Sequence, residues 1–227
     1  MLKNFFKKIL FSPPIARQIV RLLGKVHQLS YAYLGSFACA AEGGLHPKHR
    51  LIRYHQFFVS HVVEGDRILE GGCGNGALLQ DVAKKSKALT VGVEIDMKNA
   101  AAAKSRTEKL ANVKIVHEDI WKFDEKAKFN IIILSNTLEH LKQRSELLCL
   151  LKERFDPEKF LIRVPMFERE WPVPYKKELG IEWRLDPTHE TEYTKNELRE
   201  ELSKAELAIS SLDTRWGEFY VVAVPVK

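Results

Sequence analysis

From Asp66 onward, short apolar runs at 67–71, 89–95, 113–117, 129–135 and 159–164 alternate with helix-forming stretches near 76–86, 97–110, 139–154 and 194–205. Strands separated by crossovers of helical length predict a parallel sheet covered by helices on both faces. Only the crossover between the third and fourth runs is short. Right-handed crossovers bring the C-terminal ends of all these strands to one edge, where a ligand is expected. The chain finishes differently. Residues 208–214 and 219–226 are strand-like but joined only by Arg215-Trp216-Gly217-Glu218, which predicts an antiparallel hairpin.

The first strand leads into Glu70-x-Gly72-x-Gly74-x-Gly76. Three glycines at alternate positions place bare backbone where a strand turns into a helix N-terminus, so a ligand can approach without meeting a Cβ. The carboxylate at the strand end is informative. A pyrophosphate pocket gains nothing from a negative charge, whereas a pocket for an ammonium does, which points to the aminoacyl end of S-adenosylmethionine. Gly72-x-Gly74-x-x-Ala77 also satisfies a relaxed dinucleotide pattern, with Glu94 20 residues beyond Gly74. The loop alone therefore supports either cofactor.

The net charge of +6 is unevenly spread: residues 1–65 hold nine Lys/Arg and two acids, the first of them Glu42. This asymmetry points to an anionic surface as partner of the N-terminal part, membrane or nucleic acid. Leu2, Phe5, Phe6, Ile9 and Leu10 form a helical stripe with Lys3, Lys7 and Lys8 beside it, ended by Ser12-Pro13-Pro14. A second helix is expected over 15–29. Such helices either cap the catalytic domain or lie on an anionic membrane surface, and the two roles are compatible. A third helix is expected over 51–63. Apolar stretches are too short for a secretory signal or a membrane span. Three cysteines, Cys39, Cys73 and Cys149, are odd in number and widely spaced, which predicts a reducing, cytoplasmic setting. No metal site is expected: His46, His49 and His55 lack an accompanying carboxylate.

Four strand ends, taken in order, discriminate between the cofactors. They are Glu70-x-Gly72-x-Gly74-x-Gly76, Glu94-Ile95-Asp96, Asp119-Ile120 and Asn136-Thr137-Leu138-Glu139-His140. With the closing hairpin, residues 66–226 resemble the class I S-adenosylmethionine-dependent methyltransferases of the small-molecule type, similar to the ubiquinone and menaquinone enzymes. The resemblance implies an α/β, Rossmann-like, mostly parallel seven-stranded sheet with a C-terminal antiparallel hairpin and an N-terminal helical extension. It further implies that Glu70, Gly72, Gly74, Asn75 and Gly76 hold the methionine part of the cofactor and that Glu94 holds the ribose. Ile95, Asp119, Ile120 and Asn136 complete the cofactor contacts. Asp96 is expected to cap the following helix, and Asp119 to bind the adenine amino group or to cap a short turn. No Asn/Asp-Pro-Pro-Tyr/Phe or Pro-Cys motif follows strand four, so nucleic-acid substrates are disfavoured.

Methyl transfer is an in-line displacement at a sulfonium carbon, in which the protein aligns the nucleophile and removes its proton. Histidine titrates near neutrality and suits an oxygen acceptor. His189, with Asp186 or Glu139 to orient it, is the first candidate base and His140 the second; a purely structural His189 is the alternative. The long aromatic connection 165–193 is expected to form a substrate flap, and Thr194 with Glu197 a capping box. Domains are expected at 1–65, a basic helical extension, and 66–227, a cofactor-binding methyltransferase domain. The expected activity is methyl transfer from S-adenosylmethionine to a small-molecule, glycan or lipid-linked acceptor, at oxygen before nitrogen. Residues 1–30 are the expected site of any contact with an anionic membrane surface. A non-catalytic protein retaining the fold and a nicotinamide oxidoreductase are the competing readings.

Overall fold

All seven expected strands form, because each apolar run is long enough for one buried strand and each is bounded by a turn or a helix cap. A computed structural model describes residues 9–226. The strands are β1 (Ile68–Gly71), β2 (Thr90–Glu94), β3 (Val113–His117), β4 (Ile131–Ser135), β5 (Lys159–Pro165), β6 (Leu207–Arg215) and β7 (Glu218–Pro225). They make one sheet in the order β3-β2-β1-β4-β5-β7-β6. The first five are parallel, and β7 inserts antiparallel between β5 and β6. Ile131 to Leu134 are fully buried, as a central strand covered on both faces requires. At the edge, β3 has no buried residue, and Lys114 and His117 are exposed. Trp216 and Gly217 join β6 to β7 with φ of 55° and 74°, the two positive values a tight primed hairpin turn needs.

The strand order reverses between β1 and β4, so their C-terminal ends open a crevice at the topological switch point. Helices over Ala77–Ser86 and Met97–Thr107 form the first two crossovers. Asp96 caps the second of these, its Oδ1 accepting from the Asn99 amide at 2.8 Å, as expected. Thr194 and Glu197 form the expected capping box of the helix Lys195–Lys204.

Two expected helices take different forms. In place of a helix over 139–154, a single 3-10 turn at Leu138–His140 precedes a helix at Arg144–Phe155. The Glu139 carbonyl accepts from the amides of Glu190 (2.7 Å) and Thr191 (3.3 Å), so it is turned toward another segment instead of continuing the helix. The stretch 51–63 is likewise divided into Lys48–Leu51 and His55–Ser60, with Arg53 at φ 47° between them.

The chain divides into two units: the described residues up to Ile52 with Glu168–Pro187, and Arg53–Phe167 with the residues from Thr188 onward. The sheet and its strand ends belong to the second unit. In the first, one 29-residue helix, Pro13–Ala41, extends well past the expected 15–29. Proline opens it, where the missing N–H costs nothing, and Gly43 and Gly44, both at positive φ, follow its end. Within that unit Gln28 Nε2 donates to the Arg184 carbonyl at 2.8 Å, and the Lys176 ammonium lies 3.2 Å from His27 Nδ1. The stripe from Leu2 to Lys8 lies outside the described residues. Among the described residues no helix is long and apolar enough to cross a membrane.

Candidate functional site

Three glycines of the loop after β1 serve two different purposes. All have positive φ, which side chains rarely adopt. A Cβ on Gly72 would stand 2.7 Å from Thr137 Oγ1, and one on Gly76 3.0 Å from Ala103 Cβ in the neighbouring helix. A Cβ on Gly74 would meet nothing within 4 Å. Gly72 and Gly76 therefore permit close packing, while Gly74 leaves backbone open to an incoming molecule. Asn75 Oδ1 accepts from the Ala77 amide at 3.2 Å and so holds the start of the following helix.

Two acids flank the loop. Glu94, at the end of β2, accepts from the Gly74 amide through Oε2 (2.7 Å) and from the Asp96 amide through Oε1 (2.9 Å). Glu70, at the end of β1, is 2% exposed, and its Oε2 is buried without a hydrogen-bond partner among the described residues. Burial pushes its carboxyl well above the usual carboxylate range, and the charge of Glu94 adds to the shift. A buried acid left in this state fits a positive ligand and opposes a pyrophosphate.

Along the rim, Ile95 and Met97 are 67% and 68% exposed, an apolar pair in place to cover an aromatic base. His117 Nε2 contacts the Ile95 carbonyl at 3.0 Å, joining the ends of β2 and β3. Asp119 Oδ1 accepts from the Trp121 amide at 3.1 Å, so this acid does cap a short turn. Ile120 is buried with its side chain against Gly71. The donor set suits S-adenosylmethionine in kind: a buried acid at Glu70 for an ammonium, open backbone at Gly74, an acid at Glu94 and an exposed apolar side chain at Ile95.

The fourth strand empties into a polar cluster. Asn136, at φ 55°, donates from Nδ2 to Glu139 Oε1 at 2.7 Å. Glu139 is fully buried, and its Oε2 has no hydrogen-bond partner among the described residues. Burial raises its carboxyl to about 7, against the opposing effects of the local backbone amide, Asn136, His189 and Arg163. His140 is exposed and His189 buried, and their rings meet edge to face with centroids 4.7 Å apart. His189 Nδ1 lies 3.0 Å from Glu192 Oε1, and His140 Nδ1 lies 3.0 Å from Thr188 Oγ1. One ligand atom from each of Glu139, His140 and His189 lies within 4.8 Å of the others.

The fold thus brings both candidate histidines and Glu139 together, although about 50 residues separate His140 from His189 in the chain. Glu192, which holds His189 in orientation, escaped the sequence reading, as did Thr188. The His189-x-x-Glu192 spacing was the only available signal, and it is short and common. Behind the cluster, Arg163 on β5 makes a two-pronged pair with Glu218 on β7 and stacks on Tyr54 with its guanidinium carbon 3.7 Å from the ring centre.

Comparison with known proteins bears on the fold and the family. Residues 48–155 match the profile of the nodulation protein S (NodS) family. An 86-residue segment is 31% identical to (S)-tetrahydroprotoberberine N-methyltransferase from Eschscholzia californica, covering 37% of this chain and 25% of that protein. The chain thus matches about a quarter of the length of this curated relative. Among solved structures, the magnesium protoporphyrin IX methyltransferase of Synechocystis with bound S-adenosylhomocysteine superposes with a TM-score of 0.57 at 16% identity, over 99% of this chain and 100% of that one. The N-methyltransferase NodS of Bradyrhizobium japonicum, also with S-adenosylhomocysteine, gives 0.59 at 14% identity over 79% of this chain and 87% of that one. The fold is that of the class I S-adenosylmethionine-dependent methyltransferases, and the sequence matches are to the NodS family and to a plant N-methyltransferase.

Proposed function

We propose that this chain, a class I S-adenosylmethionine-dependent methyltransferase by fold, transfers the sulfonium methyl group to a hydroxyl of a small-molecule, glycan or lipid-linked acceptor. One observation carries the cofactor half of this reading: the buried, unpartnered Glu70 carboxylate beside the open backbone of Gly74. When bound, the cofactor supplies an electrophilic methyl carbon. The residues of the chain do the rest. Glu70 neutralises the ammonium, Glu94 fixes the ribose, and the rim at Ile95 shields the base from water. The acceptor hydroxyl meets the cluster after β4 and loses its proton there, with His189, oriented by Glu192, as the base. The aromatic connection 165–193 is assigned the role of substrate flap on its composition and its place in the chain.

Calorimetric titration tests the cofactor assignment. S-adenosylhomocysteine is expected to bind with one site per chain and NADH not at all; the reverse result removes the proposal. Transfer of methyl label from the cofactor into a cell extract then identifies the acceptor. A nitrogen acceptor is the second reading, favoured by the N-methyltransferase matches. An amine product from that screen decides for it.

A basic, apolar-faced helix in the first unit supports the further assignment of an anionic membrane surface as partner. On Pro13–Ala41, Leu22, Val26, Leu29, Tyr33 and Phe37 share one face and are each more than half exposed, while Arg17, Arg21 and Lys25 flank it. A membrane-bound acceptor would meet the enzyme at that surface.

A further inference from the structure

We propose that Glu139, His140 and His189 form a binding site for one divalent transition-metal ion. Three observations converge on it. One ligand atom of each residue already lies within 4.8 Å of the other two. Tetrahedral ligands bound to one ion at about 2.0–2.2 Å stand about 3.3–3.6 Å apart, so side-chain adjustments of about an ångström close the site. The Glu139 carboxylate is fully buried, and its Oε2 has no hydrogen-bond partner among the described residues, a charge whose burial calls for a cation. Each imidazole is held through Nδ1, His189 by the buried carboxylate of Glu192 and His140 by the Thr188 hydroxyl. A second group that fixes the Nδ1 side of the ring is the usual support of a histidine that ligates through Nε2.

The donor set selects the metal. Two imidazoles and one carboxylate suit zinc, iron, cobalt or manganese better than calcium or magnesium, which favour all-oxygen surroundings. Three protein ligands on one side leave coordination positions for a second molecule.

The role of the ion rests on the methyltransferase reading, although its binding does not. An acceptor hydroxyl on the ion gives up its proton to solvent more readily. The oxygen electron pair then forms the new C–O bond as the C–S bond breaks and its pair passes to sulfur. In that form His140 and His189 act as ligands and His189 is not the base.

The test uses the full chain, stripped with a chelator and titrated with Co²⁺ under visible absorption and with Mn²⁺ under electron paramagnetic resonance. One equivalent per chain is expected. Loss of a ligand in H140A or in E139Q should weaken binding by more than the roughly 10–100-fold that loss of an outer-shell partner costs, with H140A the cleaner variant because its side chain is exposed. Glu192→Gln, which keeps the ring supported but removes the charge behind it, should give a smaller loss. Absence of stoichiometric binding, or equal binding by wild type, H140A and E139Q, overturns the site. S-adenosylhomocysteine titration of the same samples separates the two proposals. Metal binding without cofactor binding would remove the methyltransferase reading alone, and cofactor binding without metal binding would remove the metal site alone.

Discussion

The Gly74 amide donates to Glu94 Oε2 at 2.7 Å, tying the loop after the first strand to the end of the second. The other carboxylate oxygen accepts from the Asp96 amide, so one side chain sets the spacing of the segments that follow both strands. Glu94→Gln places an amide N–H₂ against a backbone N–H on one side or the other. The expected result is a loss of about 1–3 kcal/mol in folding stability. The dissociation constant for S-adenosylhomocysteine should rise at least roughly tenfold, since about 1.4 kcal/mol of lost binding is a factor of ten. Urea unfolding and calorimetry measure the two effects. Unchanged affinity would deny Glu94 its role.

Glu70 gives a pH prediction. Its carboxyl is raised in the folded state by burial and by Glu94, so the folded protein holds a proton that the unfolded chain releases at lower pH. The associated stability is present below the usual carboxylate range and is lost as pH rises toward the elevated folded value. Glu70→Gln should therefore melt higher than wild type at pH 7 to 8, with the difference fading toward pH 4. Binding of the cationic cofactor ionises Glu70 and should release about one proton, seen as a dependence of binding enthalpy on buffer ionisation. The variant should bind weakly and without that dependence.

Arg163 and Glu218 form the buried support behind the β4 cluster, with two nitrogen–oxygen contacts of 2.8 Å and side chains 2% and 13% exposed. Arg163→Met leaves Glu218 without its countercharge and should destabilise by about 3–5 kcal/mol. The double variant R163M/E218Q should recover part of that loss. Thermal unfolding of the single and double variants checks the coupling, and an additive result would show that the pair does not act as a unit.

The exposed face of Pro13–Ala41 predicts sedimentation with vesicles containing anionic phospholipid, weakened by salt, and little with zwitterionic vesicles. Replacing Leu22, Val26 and Phe37 together by glutamate should abolish sedimentation while leaving the melting temperature of the sheet intact. Retained sedimentation in that variant, or concentration-dependent dimerisation in place of lipid binding, would count against the membrane assignment.

Local patterns were enough to place the sheet, the glycine loop and the caps at Asp96 and Thr194. Strand burial, bare backbone and cap hydrogen bonds depend on residues within a few positions of one another, so the sequence carries them directly. The acid and glycine spacing also marked the strand ends of β1 and β2, which are neighbours here as consecutive parallel strands often are. Other features depend on distant contacts. The early stop of the turn at Leu138–His140 follows from Glu139 meeting the amides of Glu190 and Thr191. The Arg163–Glu218 pair requires β7 to insert beside β5. The meeting of Glu139, His140 and His189 needs two segments about 50 residues apart to close on one strand end. No local propensity encodes such a contact. It arises only when burial of the whole sheet fixes where each connection must return.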